Sequence, residues 1–166
     1  MKFLKLNTLI FCTLVFLPYS LLMAYEEPNY KVVQKIEIYE IRKYSDRLAV
    51  ETIDSGSENN FRKLFNYISG RNEDNEKIKM TTPVTQFEKN GNMSMQFYLP
   101  SKFNSKNAPK PIKENVSIVN IEGGYYAVIR YSGRASDKNF IKHRDILLKE
   151  LKTNNFTTMG PSIRAT

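Results

Sequence analysis

The hydrophobic pattern changes period several times along the chain, and each change marks an element. Tyr30-Lys31-Val32-Val33 and Ile36 to Arg42 concentrate β-branched and aromatic residues, which predicts two early strands. Ser45-Asp46 marks a turn, and Leu48 to Ile53 reads as the returning strand. Phe61, Leu64, Phe65 and Ile68 then fall at i, i+3, i+4 and i+7, one stripe of a helix. Ser57 is placed to cap its start and Gly70 to end it. In the next stretch Ile78, Met80, Thr82 and Val84 share one parity, while Lys77, Lys79 and Thr81 share the other. Residues 77–87 therefore read as a strand with one buried face. Pro83 has no N–H to give a ladder, so its part of the strand belongs at an edge or a bulge. Asn90-Gly91 signals a hairpin, and Met93, Met95, Phe97 and Leu99 alternate with polar residues as its second strand. Pro100 to Pro111, rich in Pro, Lys and Asn, reads as a long mobile connection.

The pattern then restarts. Val116 to Ile121 and Tyr125 to Tyr131 read as paired strands around Glu122-Gly123-Gly124. Phe140, Ile141, Arg144, Leu147, Leu148 and Leu151 line a second helix, with Ser136 as its cap. Ala49-Val50 and Ala127-Val128 lie 78 residues apart, each in the strand before a helix. Two hairpin–helix–strand halves define an α+β fold: a twisted antiparallel β-barrel of two pseudo-repeated halves with two flanking helices. After the second helix there is room for one short strand, around Thr157 to Ala165, and not for its partner. The C-terminal closing strand is thus expected to be missing and the last sheet edge open, as in a fragment or a short form.

Residues 1–24 stand apart. Lys2 and Lys5 precede an apolar run from Leu9 to Leu17, Pro18 breaks it, and Ala24 offers a small residue for cleavage. This reads as a signal peptide, giving an exported domain over residues 25–166; the rival is an uncleaved membrane anchor, for which the run is short against the ~20 residues of a span. Cys12 is the one cysteine, so a chain cut after Ala24 has no disulfide frame. The net charge is +8, and loss of Lys2 and Lys5 leaves +6. Such an excess suits an anionic ligand or a membrane surface as well as an ordinary basic surface.

Candidate chemistry is sparse. There is no G-x-S-x-G, P-loop or G-x-G-x-x-G motif. His143, the only histidine, cannot build a zinc site without cysteines, and a Cys–His pair is excluded in the cleaved chain. His143 lies to one side of the second helix's stripe, which suits an exposed histidine better than an iron ligand. Asp74-Asn75-Glu76 lacks calcium-loop spacing. The strands hold aromatics but no RNA-recognition run, so nucleic acid is not an expected partner. Asn92, Asn115 and Asn155 open N-x-S/T sequons, a pattern that chance readily supplies in an Asn-rich chain.

Several stretches together resemble the SOUL haem-binding protein family. They are Tyr39 to Tyr44, Phe61-Arg62-Lys63-Leu64, Ile78-Lys79-Met80-Thr81-Thr82-Pro83-Val84, Met95 to Pro100 and Tyr131-Ser132-Gly133, in the family's order. The resemblance implies a two-halved twisted barrel and a non-covalent site for b-type haem or another tetrapyrrole in a shallow apolar cleft. It implies no catalytic residues and no bound metal beyond the pigment's own. One cleft proposed for the family lies beside the first helix, where Asn59, Arg62, Asn66 and Tyr67 are the matching positions. Asn59 stands where a vertebrate member has Arg, and Tyr67 where it has Lys. His143 does not fall at the position where some members are thought to use a histidine. The reading is an exported, non-enzymatic tetrapyrrole-binding protein. Its alternatives are a module for another small hydrophobic or amphiphilic ligand, and a basic membrane-surface or interaction protein.

Overall fold

The computed structural model describes residues 25–54 and 57–166. The leader expected over residues 1–24 lies outside the described residues, as does the side chain of Ser57. The elements are β1 (Tyr30–Lys35), β2 (Glu40–Tyr44), β3 (Arg47–Asp54), α1 (Ser57–Ile68), β4 (Val84–Lys89), β5 (Asn92–Tyr98), β6 (Val116–Ile121), β7 (Gly124–Val128), α2 (Asp137–Thr153) and β8 (Arg164–Ala165). All strand pairs are antiparallel. They form a three-stranded sheet, β1-β2-β7, and a five-stranded sheet, β6-β3-β5-β4-β8. The α+β class with two helices is as expected. Among the described residues the strands form two sheets and no closed barrel; the sheets pass into one another through the short turns after β2 and β6.

The expected internal repeat is visible in the hydrogen-bond register. In β3·β6, Ala49 faces Val119; in β2·β7, Ile41 faces Ala127. Shifting Ala49 by 78 residues gives Ala127, and shifting Ile41 by 78 gives Val119. The same shift carries Glu40↔Val128 onto Ile118↔Val50 and Lys43↔Tyr125 onto Ile121↔Arg47. The first of these two strands in each half therefore pairs with the second in the other half, and β4·β8 joins the strands that follow the two helices. At the tight turn after β6, Gly123 is pressed against the backbone after β2. A Cβ there would lie 2.6 Å from the Tyr44 carbonyl oxygen.

Because side chains alternate across a strand, one face of β3 and β5 presents Val50, Thr52, Met95 and Phe97. α1 covers this face. The core gathers there: Val50, Leu64, Tyr67, Ile68, Met95 and Phe97, extended by Ile78, Val84, Leu99 and Phe103. The opposite face is buried too, but it is polar. Glu51 accepts from Lys89 Nζ at 2.8 Å and from Gln96 Nε2 at 2.6 Å, which supplies the partners a buried carboxylate requires.

Four expectations change. The turns at Ser45-Asp46 and Gly123 close no hairpins among the described residues: β2 pairs with β1 and β7, and β3 with β5 and β6, so the strands on either side of each turn lie in different sheets. Residues 77–83 do not form a strand. Ile78 is buried and Met80 packs on the core while Lys77 and Lys79 face out, so the alternation is real. Its backbone, however, bonds elsewhere. Ile78 N–H donates to Ile68 O, and Thr81 forms an isolated bridge with Glu26. Pro83 has no N–H to donate, so the ladder starts at Val84. Residues 100–111 are not a loose connection. Phe103 and Pro109 are buried, and Glu73 N–H donates to Lys110 O at 2.9 Å. The last strand shrinks to Arg164–Ala165, paired with β4. The hairpin after β4 is as expected: Asn90 and Gly91 both have positive φ, 53° and 77°, which a two-residue type I′ turn needs.

Candidate functional site

α1 presents two apolar faces where the sequence suggested one stripe. Asn60, Leu64, Tyr67 and Ile68 fall at i, i+4, i+7 and i+8, and these are the residues that turn inward. Two of the four are polar-tipped, and both tips find backbone acceptors. The Asn60 amide donates to Met93 O at 3.0 Å, and the Tyr67 hydroxyl donates to Pro109 O at 2.7 Å. Phe61 and Phe65 are left outside, 41% and 48% exposed.

These two phenylalanines form a shelf. Their rings are nearly parallel, 12° apart with centroids at 6.1 Å, and Phe61 meets the buried Phe97 edge-on at 5.3 Å. The shelf is thus anchored in the core and open to solvent. Met93, beside the helix through the Asn60 bond, adds a further exposed apolar group. Contiguous exposed aromatics next to the core are the surface feature that calls for a ligand or partner.

The four matching positions divide. Arg62 and Asn59 are exposed and Asn66 is half-buried, all on the outward side of α1. Arg62 follows Phe61 in the helix and is exposed about 100° round the axis from it. Tyr67 is turned the other way. It is 2% exposed, with its hydroxyl committed to Pro109 O, so it stands behind the helix and cannot reach a ligand on the outer face. Burial, with the nearby Glu76 and Asp74 carboxylates, pushes that hydroxyl up to about 12. The buried Asn72 steadies the next loop: its amide donates to Tyr67 O and Glu76 O and accepts from Glu76 N–H. The polar loop around Asp74 is therefore a stapled turn, and no group of ligands suited to a metal ion occurs among the described residues.

His143 belongs to α2 and to no part of this shelf. It is half-buried, its Nδ1 lies 2.8 Å from Asn139 O, and its ring stacks on Tyr131 at 4.1 Å. A separate cleft of about 500 Å³ lies at the other end of β3. Arg47, Leu48, Tyr98 and Phe103 line it together with Glu26 and Asp46, and no residue of α1 does. The Arg47 guanidinium stands over the Tyr44, Tyr98 and Tyr126 rings at 4.8–5.1 Å.

The residue pattern alone does not single out the shelf. The spacing that places Phe61, Leu64, Phe65 and Ile68 on a stripe also places Asn60, Leu64, Tyr67 and Ile68 on one. Only the availability of Met93 O and Pro109 O decides between them.

The architecture is an α+β scaffold with an aromatic shelf outside its first helix. The family model described as SOUL heme-binding protein matches residues 25–164, and the chain belongs to that family. It is 33% identical over 112 residues to heme-binding protein 2 of Mus musculus, covering 57% of this chain and 54% of the relative. To heme-binding protein 2 of Homo sapiens it is 36% identical over 93 residues, covering 48% and 45%. The chain thus spans about half the length of the curated relatives it matches.

Proposed function

We propose that this chain binds haem or a related tetrapyrrole non-covalently, as a carrier and not as an enzyme, and that it is exported after cleavage behind Ala24. The Phe61–Phe65 shelf carries the reading. A porphyrin offers a broad apolar face and two carboxylates, and it needs an apolar surface with a cation at its rim. Phe61 and Phe65 would hold the face, and Met93 would extend it. Arg62 would hold a carboxylate, with Asn59 and Asn66 as polar neighbours. Tyr67 contributes from behind by fixing the helix to Pro109. The pigment, when bound, would supply the iron chemistry. Family membership supports the ligand class, and the names of the two relatives agree with it.

Haemin titration tests this. The chain should give a saturable Soret shift. Phe61→Ala and Phe65→Ala should each weaken binding about tenfold, since each removes part of a buried aromatic contact. Arg62→Glu should weaken it further by setting like charges together. A shift that survives all three changes overturns the site, and no saturable shift overturns the function. Export is tested separately by N-terminal sequencing of the protein from its native host. A chain beginning at Tyr25 agrees, and one retaining residues 1–24 indicates the membrane-anchored alternative.

The cleft beside Arg47 favours a second reading, a site for a small amphiphilic molecule. Its lining mixes Leu48 and Phe103 with Arg47, Glu26 and Asp46. Mass spectrometry of ligand retained through purification separates the two: a tetrapyrrole supports the shelf, and a small amphiphile lost in a Leu48→Trp variant supports the cleft.

A further inference from the structure

The second helix carries a face that the haem reading does not use. Ile141 and Leu148 lie two turns apart on one side of α2, 43% and 40% exposed. Lys138, Lys142, Lys149 and Lys152 flank them along the whole helix, all exposed. None of these lysines pairs with a carboxylate among the described residues. Of the acids on this side, Asp145 is bonded by Arg144 at 2.8 Å and Asp137 by Arg164 at 2.7 Å.

The chain after the helix adds to this side. It leaves α2 at the Asn154 cap and is back at the first turn by Arg164, whose guanidinium bonds Asp137 and covers the Phe140 ring at 4.8 Å. Asp137, Ile141, Arg144 and Leu148 are spaced i, i+4, i+7 and i+11, so Arg164 docks on the stripe that holds both exposed aliphatics. The segment between runs beside the helix and exposes Phe156, Ile163 and a fully exposed Met159.

We propose that this side of α2, with residues 156–163 beside it, docks on the surface of an anionic lipid bilayer. Exposed apolar groups set among unpaired lysines are the features of an interfacial helix: the apolar groups enter the acyl boundary while the cations remain among acidic headgroups. Lysine suits this role, because its long stem lets the ammonium reach up to the headgroup layer. A second copy of the chain is the wrong occupant, since it would bring four lysines against four lysines. The surface shares no residue with the Phe61–Phe65 shelf, so it stands or falls apart from haem binding.

The test is partitioning of the full chain onto large vesicles of phosphatidylcholine alone or mixed with phosphatidylserine. The protein has no tryptophan, so Ile141→Trp gives an emission signal from this face alone, whatever residues 1–24 do. Its emission should shift to the blue on the phosphatidylserine mixture, remain unchanged on phosphatidylcholine, and return toward its starting value in high salt. Adding Lys142→Glu and Lys149→Glu should lower partitioning by more than about tenfold, since each lysine near such a surface contributes about fivefold. Unchanged far-UV circular dichroism and an unchanged urea-unfolding midpoint establish that those variants are folded. Equal shifts on both vesicle types, or binding indifferent to charge reversal, overturn the proposal. So does self-association through Ile141 and Leu148 without any vesicle binding.

Discussion

The two helices answer the same sequence pattern in different ways. Each follows a strand entered by a tight turn from the other sheet, and those two strands occupy equivalent places, since one register shift of 78 residues relates β3·β6 to β2·β7. Yet α1 sinks Leu64, Tyr67 and Ile68 into the core, whereas α2 buries Leu151 alone. The difference lies behind the helices. β3 is flanked on both sides, by β6 and β5, and β4 extends the sheet further; β7 pairs only with β2 among the described residues. An apolar stripe makes a segment helical, but a surface must stand opposite before the stripe is buried.

The largest expected contrast is Leu64→Ala. Leu64 is fully buried beneath α1, and its removal leaves a cavity between helix and sheet. A loss of about 2–5 kcal/mol is expected in urea unfolding. A loss under about 1 kcal/mol would mean that α1 rests on the sheet no more firmly than α2 does. Tyr67→Phe comes next. It keeps the ring and strands Pro109 O, for a loss of about 1–3 kcal/mol. The pH dependence gives a second readout. The Tyr67 hydroxyl titrates at about 12 in the fold against about 10 in the unfolded chain, so the native state keeps this proton longer. Its contribution is complete below pH about 10 and disappears as pH rises through about 12. The Phe variant should lack that part of the alkaline slope.

Much of this was legible in the residues. The repeat, the hairpin at Asn90-Gly91 and the cap at Ser136 depend on local chemistry: left-handed residues, hydroxyl acceptors and side-chain period. They appear as read; Ser136 Oγ accepts from Asn139 N–H at 3.3 Å. What was not legible depends on distant partners. Lys77 to Pro83 alternates like a strand, but whether a ladder forms depends on a free neighbouring edge. The inward face of α1 was set by Met93 O and Pro109 O, 33 and 42 residues away from Asn60 and Tyr67. For the site, Arg62 was placed on the exposed side as its position suggested, while the exposure of Phe61 and Phe65 emerged only from the packing.

Ser136→Ala gives a smaller effect that isolates α2. Its loss frees an N–H of the first turn and should cost about 1 kcal/mol. The change should appear as faster amide exchange in the first turn of α2, with α1 unaffected. If both helices loosen together, they form one cooperative unit and their contrast is only geometric.

The smallest effect is the sharpest test of the contrast. Leu148 has the same side chain as Leu64 and sits in a helix of similar pattern, so the two substitutions remove the same atoms. Leu148 is 40% exposed, so Leu148→Ala removes less buried surface than Leu64→Ala and opens onto solvent. The transfer loss is partial and no enclosed cavity forms, so the expected loss is below about 1 kcal/mol. The helix itself should gain slightly, because alanine is the better helix former. If Leu148→Ala instead costs as much as Leu64→Ala, something covers that face in solution. In that event α2 would be buried like α1, and the lysine-flanked stripe would not be available to a bilayer.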